Sequence, residues 1–162
     1  MPFMEMVFLD DGRVLRPCGL DDLEAVSELV LTEAERSIRH DFDEDGWADF
    51  VEYLSSDHLL KRLVTGSKAL VIQDVDDKLS GYIEMVGGQI LLLFIAEHAQ
   101  RLNLASRLLN RIRDTFELKE LYVNSSTAGF DFYLDQQFEP VEDWKLMAGV
   151  KFRPMKWQEN SG

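Results

Sequence analysis

A continuous apolar run at residues 90–96 passes through a short loop into a helical pattern, and this order most constrains the fold. Seven apolar residues bounded by turns are typical of a strand covered on both faces. The pattern after the loop repeats every four residues, as on one buried helix face: Leu104, Leu108, Ile112 and Phe116. A second apolar strand follows at 118–124. Because a helix connects the two strands, we expect them to pair in parallel.

The remaining segments predict the rest of the sheet. Strand patterns at 68–75 and 81–86 precede the central run and are separated from each other and from it by the turns Asp76-Asp77 and Gly87-Gly88. Helical spacing precedes these strands, and a further helix at 127–136 leads to terminal strands within 138–155. The sequence therefore predicts an α/β fold with a mixed, mostly antiparallel central sheet and helices on both faces, in one domain spanning 1–162.

Charge and composition exclude several classes of function. With 17 basic and 30 acidic residues the net charge is −13, which disfavours general nucleic-acid binding and anionic membranes. The single cysteine, Cys18, cannot form an intrachain disulfide, and the N-terminus lacks the basic segment of a signal peptide. We therefore expect a cytoplasmic protein with a structural Cys18. The three histidines are isolated from other ligand types, so no metal site is predicted.

A local basic segment opposes the global charge. Four arginines without an intervening acid lie between positions 101 and 113, next to the predicted start of the helix: Arg101, Arg107, Arg111 and Arg113. Unpaired backbone amides at a helix N-terminus can bind a phosphate, and nearby arginines would assist them. The alternative is an exposed helix face whose arginines pair with acids elsewhere.

The same stretch resembles the GNAT N-acetyltransferase superfamily, whose motif is a strand, then Q/R-x-x-G-x-G/A at the start of a helix. Ile95, Gln100 and Ala105 match the hydrophobic, Gln/Arg and Gly/Ala positions. Three further segments agree in order: GYIE at 81–84, LYVNSS at 121–126 and FYLDQQF at 132–138. The sequence departs from the family pattern at Glu97, Asn103 and Gln137, where Pro, Gly and Gly are usual.

The resemblance implies an acetyl-CoA site. Backbone groups of Phe94 and Ile95 would pair with the pantetheine arm as an added strand does, and Asn124 would contact it from the neighbouring strand. Gln100 occupies the Gln/Arg position of the motif. The pyrophosphate would lie on the backbone amides that follow it: Arg101, Leu102, Asn103, Leu104, Ala105 and Ser106.

Catalytic roles are implied in the same way. Tyr133 occupies the family position of the general acid, and a phenol of ordinary pKa ~10 stays protonated and can donate to the departing thiolate. The alternative is that Tyr133 only packs in an aromatic-rich helix and has no catalytic role. Glu84 is the candidate base for the amine, and Glu97 and His98 are alternatives near the strand end.

The resemblance implies that the helical region after His40 borders the acceptor cleft, and this region is an acidic segment. Seven acids and no basic residue lie between His40 and His58. Such a run is usually a solvated helix face, but an acidic rim would favour a cationic acceptor such as a polyamine, an aminoglycoside-like amine or a basic peptide terminus.

Two functions follow from these patterns. The first is an acetyl-CoA-dependent N-acetyltransferase acting on a primary amine of a small molecule or peptide. The second is a catalytically silent GNAT-fold binding or assembly module, favoured by the three departures from the motif. The oligomeric state stays open, with a homodimer as one possibility.

Overall fold

The computed structural model describes residues 5–160, so the ends of the predicted 1–162 domain, residues 1–4 and 161–162, lie outside the described residues. The helices are α1 Leu23–Ser37, α2 Glu44–Tyr53, α3 Ser56–Val64, α4 Leu104–Thr115 and α5 Phe130–Asp135. The strands are β1 Val7–Phe8, β2 Val14–Pro17, β3 Lys68–Gln73, β4 Leu79–Val86, β5 Gln89–Ile95, β6 Glu120–Ser125, β7 Glu139–Pro140, β8 Lys145–Met147 and β9 Val150–Gln158.

The strands form one nine-stranded mixed sheet, as the sequence predicted. The order is β1-β2-β3-β4-β5-β6-β9-β7, and β8 pairs with β9. All neighbouring strands run antiparallel except β5 and β6, which are parallel because α4 crosses between them. The predicted parallel pair is therefore confirmed.

Each face of the sheet carries its own apolar core. On one face α4 packs Leu108, Leu109 and Ile112 against Ile83 and Ile90 of β4 and β5. On the other face α1 packs Val26 and Val30, with Leu59 of α3, against Val71 and Tyr82. The alternation of side chains along β4 supplies both cores, since neighbouring residues point to opposite faces.

The parallel pair is short, and this shapes the molecule. Only Gln89 and Ile90 of β5 pair with β6, at Tyr122 and Val123. Strand β5 contains a β-bulge at Leu91. Glu84 of β4 pairs with Leu92 and the next residue, Met85, pairs with Ile90, so Leu91 has no partner in β4. Beyond Ile90 the two strands separate. The sequence predicted that β5 is covered on both faces, but residues 93–95 are only partly buried because they border the gap.

Candidate functional site

A cleft of about 740 Å³ fills the gap between β5 and β6 and passes from one face of the sheet to the other. On the α4 face it reaches Gln100 and Ala105, at the start of α4. On the α1–α2 face it reaches Phe42 and Phe50, opposite the β8–β9 hairpin. The sheet itself therefore supplies a channel between two regions of different chemistry.

The start of α4 leaves backbone amides without partners, and we call residues 101–106 the cradle. Arg101 and Asn103 have φ values of 68° and 60°, in the left-handed region. Asn103 is the N-cap but makes no side-chain cap, and the amide of Arg107 is the first of α4 to bond back, to the Asn103 carbonyl at 3.1 Å. The amides of residues 104–106 therefore lack helical partners and are available to an anion. Asn103 replaces the usual glycine because Asn tolerates positive φ better than most residues.

The four arginines do not form one patch. Arg101 and Arg107 are exposed at the start of α4. Arg111 donates to the Glu5 carbonyl at 3.2 Å, and the Arg113 guanidinium stacks 4.4 Å from the centre of the Trp157 ring. Since a helix rises 1.5 Å per residue, Arg113 lies about 14 Å from the first residue of α4. Arg101 and Arg107 remain as the arginines near the cradle.

Six of the predicted site residues line the cleft: Phe94, Ile95, Gln100, Ala105, Asn124 and Tyr133. Of the others, Glu84 lies elsewhere, and the remaining residues of 101–106 lie at the start of α4 without lining the cleft. Leu104 is buried in the core, Ser106 accepts a hydrogen bond from Gln136 at 3.0 Å, and Leu102 is exposed. The Gln100 side chain donates to the Ile95 carbonyl at 3.1 Å and so ties the loop to the end of β5.

Tyr133 lies in the cleft wall with its ring in the core. Its ring packs edge-on against Phe132 and Phe138, with centroids 5.2 Å away in both cases. Burial raises the pKa of the Tyr133 phenol above its ordinary value, so the hydroxyl stays protonated at neutral pH. Within residues 5–160 no side chain bonds this hydroxyl, and Tyr133 is one of the residues that line the cleft.

Glu84 lies away from the cleft. Its side chain is fully buried, and Arg62 holds both of its oxygens at 2.7 and 3.1 Å. The Tyr82 hydroxyl donates to the same carboxylate at 2.8 Å. The arginine comes from α3, 22 residues earlier in the chain, so the sequence offered no sign of this pair. The geometry gives Glu84 a complete set of partners and no exposure to the cleft.

The alternative bases also lie outside the cleft lining. Glu97 is mostly exposed and pairs with Arg36 at 3.1 Å, which offsets its negative charge next to the cradle. His98 bonds Asp74 at 2.8 Å.

Two carboxylates line the cleft, Glu33, which the sequence did not single out, and Asp41, which it gave only as one of the seven acids of the acidic segment. Glu33 accepts from Arg36 at 2.6 Å and from the Glu97 amide at 3.2 Å. Asp41 accepts from the Thr127 amide and hydroxyl at 2.9 and 2.8 Å. Glu33 had a signal, since it continues the buried stripe of Leu23, Val26 and Val30 at helical spacing. Nothing local separates Asp41 from the acids after it.

The acidic segment is mostly a solvated helix face. Of its seven acids, Asp41 is buried in the cleft wall, and Asp43 caps α2 by accepting from the Gly46 amide at 2.7 Å. The other five are exposed: Glu44, Asp45, Asp49, Glu52 and Asp57.

Other sequence-based expectations concern Cys18, metals and membranes. Burial raises the pKa of the Cys18 thiol to about 12, which is typical of an unreactive cysteine. No group of three His, Cys, Asp or Glu side chains in residues 5–160 is placed to hold a metal ion. None of the helices described between residues 5 and 160 combines the length and the apolar character that crossing a bilayer requires.

Comparison with known proteins agrees with this geometry. Residues 38–159 match a family described as an acetyltransferase (GNAT) domain. No curated protein sequence matches the chain.

Solved structures share the fold at low sequence identity. The PaiA N-acetyltransferase from Thermoplasma acidophilum, in complex with coenzyme A, is 19% identical with a TM-score of 0.72, over 91% of this chain and 99% of that one. A GCN5-related N-acetyltransferase from Rhodopseudomonas palustris is 16% identical with a TM-score of 0.74, over 97% and 99%. The spermidine N-acetyltransferase from Vibrio cholerae, in complex with CoA and spermine, is 18% identical with a TM-score of 0.65, over 90% and 95%.

Proposed function

The chain belongs to the GNAT family of acetyltransferases, and from that premise we propose that it transfers the acetyl group of acetyl-CoA to a primary amine. The observation that carries the proposal is the joining of two features in one cleft. The start of α4 has uncapped backbone amides suited to a pyrophosphate, and it lies at one end of the cleft through the sheet. The protonated Tyr133 lines the same cleft.

The cofactor would lie along the α4 end of the cleft. The amides of residues 104–106 would bind the pyrophosphate, with Arg101 and Arg107 adding charge in a protein of net −13. Beyond Ile90 the edge of β5 that faces β6 has no strand partner, so its backbone groups at Phe94 and Ile95 can pair with an extended pantetheine arm. Asn124 offers an amide side chain from the opposite wall.

Tyr133 would act as the proton donor. The thioester of acetyl-CoA supplies the acetyl group, and an uncharged amine attacks its carbonyl carbon. As the carbon–sulfur bond breaks, the Tyr133 hydroxyl donates its proton toward the sulfur, because a neutral thiol leaves more easily than a thiolate. Burial keeps the Tyr133 phenol protonated at neutral pH, so its hydroxyl is present as a hydrogen-bond donor when the sulfur develops charge.

Glu84 does not enter the proposal as a base, because both of its oxygens are bonded away from the cleft. Glu33 and Asp41 are the carboxylates of residues 5–160 that line the cleft. Glu33 already accepts three hydrogen bonds and Asp41 two, so either would receive the amine proton through a bridging water.

Calorimetric titration with CoA tests the proposal before any acceptor is known. We expect saturable binding by the wild-type protein and an increase in Kd of about tenfold for Arg107→Glu, because the reversal replaces an attraction by a repulsion. Lys119→Glu is the matched control, since it makes the same charge change at an exposed residue that lies beyond the C-terminal end of α4, next to β6. A protein that binds no CoA would contradict the proposal and favour the silent binding module.

A further inference from the structure

The mouth of the cleft on the α1–α2 face is apolar. One wall carries Ile38, Phe42 and Phe50, and the other carries Met147, Val150 and Phe152. Because the cofactor cradle lies on the α4 face, this mouth is where an acceptor would enter. We call these six residues the acceptor mouth.

The acceptor mouth is held in a fixed shape. The Phe42 and Phe50 rings are 4.8 Å apart, and Trp47 packs edge-on against Phe42 with centroids 5.4 Å apart. Phe42 also forms a β-bridge with Val150, and the Asp43 amide donates to the Gly149 carbonyl at 2.8 Å. A Cβ on Gly46 would lie 2.5 Å from that carbonyl, so the chain approaches closely here. The segment between α1 and α2 is therefore fastened to the β8–β9 hairpin.

The charges along the cleft balance. Among residues 5–160 its charged lining consists of two acids, Glu33 and Asp41, and two basic residues, Arg36 and Lys151. Arg36 already pairs with Glu33, and Asp41 is committed to Thr127. A polyamine brings several positive charges into its site and needs several unpaired carboxylates to replace their hydration. The cleft does not supply them, and the five exposed acids of the acidic segment do not line it.

Resting on the proposed transfer to an amine, we infer that the acceptor is a monoamine carried on an apolar body, an arylalkyl or branched alkyl amine. The amino group reaches past the acceptor mouth toward Tyr133, and the apolar body lies against the rings of Phe42, Phe50 and Phe152. Burial of that body supplies the affinity.

Binding of two probe amines decides the inference. With CoA present, calorimetry should show saturable binding of 2-phenylethylamine and at least about tenfold weaker binding of spermidine. Tighter binding of spermidine, or no binding of either amine, would overturn the inference.

Thiol release with the same amines separates this inference from the proposed function. Amine binding with no thiol release would leave the inference standing and contradict the transferase. Thiol release with spermidine alone would overturn the inference and leave the transferase standing.

Substitutions at the acceptor mouth add a second measurement. Phe50→Ala should raise the Kd for 2-phenylethylamine by about tenfold. Phe50→Leu, which keeps most of the apolar volume, should change this Kd by less than about threefold. The matched control is the triple variant Glu44→Gln, Asp45→Asn, Asp49→Asn, which neutralises the neighbouring exposed helix face. We expect it to leave the Kd of 2-phenylethylamine unchanged. A loss of amine binding in this triple variant, with Phe50→Ala unaffected, would overturn the inference.

Discussion

Two buried polar groups, Glu84 on β4 and Tyr133 on α5, have opposite surroundings. Beneath α3, Glu84 is surrounded by donors, with Arg62 holding both oxygens and Tyr82 adding a third bond. Arg62 is fixed in turn, since it donates to the Tyr53 carbonyl at 2.8 Å and stacks 3.8 Å from the centre of the Tyr53 ring. In the cleft wall, the Tyr133 hydroxyl has no side-chain partner within residues 5–160.

The difference indicates which of the two groups has a structural role and which is available for a reaction. A buried group whose hydrogen bonds are complete stabilises one packing arrangement and has nothing left for a substrate. A buried group that keeps a proton free beside a cleft has given up stability that a partner would have supplied. Family position made Tyr133 the candidate acid, and Glu84 was one of three candidate bases. Their hydrogen bonds separate the two residues.

The largest expected effect is that of Tyr133→Phe on turnover. Removing the hydroxyl should lower kcat by about 10²- to 10⁴-fold, because the departing sulfur loses its proton donor. The ring packing against Phe132 and Phe138 is unchanged, so the free energy of unfolding and the Kd for CoA should stay close to wild type. Steady-state kinetics with calorimetry measures both.

A kcat for Tyr133→Phe equal to that of the wild type would contradict this prediction, since the hydroxyl would then have no role in the reaction. Tyr122→Phe is the matched control. That residue lies on β6, and its hydroxyl bonds Glu120 at 2.8 Å on the surface. We expect it to retain full activity.

The next effect is on stability. Arg62→Met should lower the free energy of unfolding by about 3 kcal/mol, because Glu84 would remain buried without its counter-charge. The double variant Arg62→Met, Glu84→Leu should recover most of this loss, since a hydrophobic pair of similar volume costs no desolvation. Urea denaturation of the wild type and both variants measures the difference.

Glu84→Gln tests whether the buried carboxylate contributes to turnover. The amide keeps the shape of the side chain, so folded enzyme can be assayed directly. We expect kcat per folded molecule to stay within about threefold of wild type. A kcat reduced 100-fold or more in a folded variant would return Glu84 to the role of general base.

Asp41 is the intermediate case and should show the smallest effect. It lines the cleft as Tyr133 does, yet it is bonded as Glu84 is, to the amide and hydroxyl of Thr127. Asp41→Ala should lower the free energy of unfolding by about 2 kcal/mol, because hydrogen bonds to a charged group are lost. Chemical denaturation measures this, and Asp43→Ala, which removes only the α2 cap, should cost about 1 kcal/mol.

Losing the Asp41 contact should also raise KM for the amine more than it lowers kcat, since the segment that carries Phe42 loses one of its fastenings. An unchanged KM for the amine would indicate that Asp41, like Glu84, has a structural role only.

Much of the fold could be predicted because its signals are local. The apolar run that became β5, the four-residue spacing of α4 and the resulting parallel crossover all depend on neighbours in the chain. Asn103 and Gln137, which stand where the family usually has glycine, have positive φ values of 60° and 70°. Placement of Gln100, Ala105, Asn124 and Tyr133 at the cleft follows from the same order of elements.

The partners of buried polar groups could not be predicted in this way. Arg62 reaches Glu84 from another element, and Asp41 reaches Thr127 across 86 positions. Such pairs depend on side chains that meet only after the sheet and helices have packed, so no local pattern reports them. Glu33 is the exception, because an acid on a buried helical stripe already indicates a special environment.

The sequence by itself therefore determined the order of elements, the family and the location of the helix start that faces the cleft. It did so because backbone conformation and apolar spacing are set within a few residues. Only the tertiary structure decided that β5 and β6 separate after one short pairing, that Glu84 is occupied and that Tyr133 is open. It also decided that the acceptor mouth is apolar although the chain around it is acidic, because burial selects which side chains of a segment face the cleft.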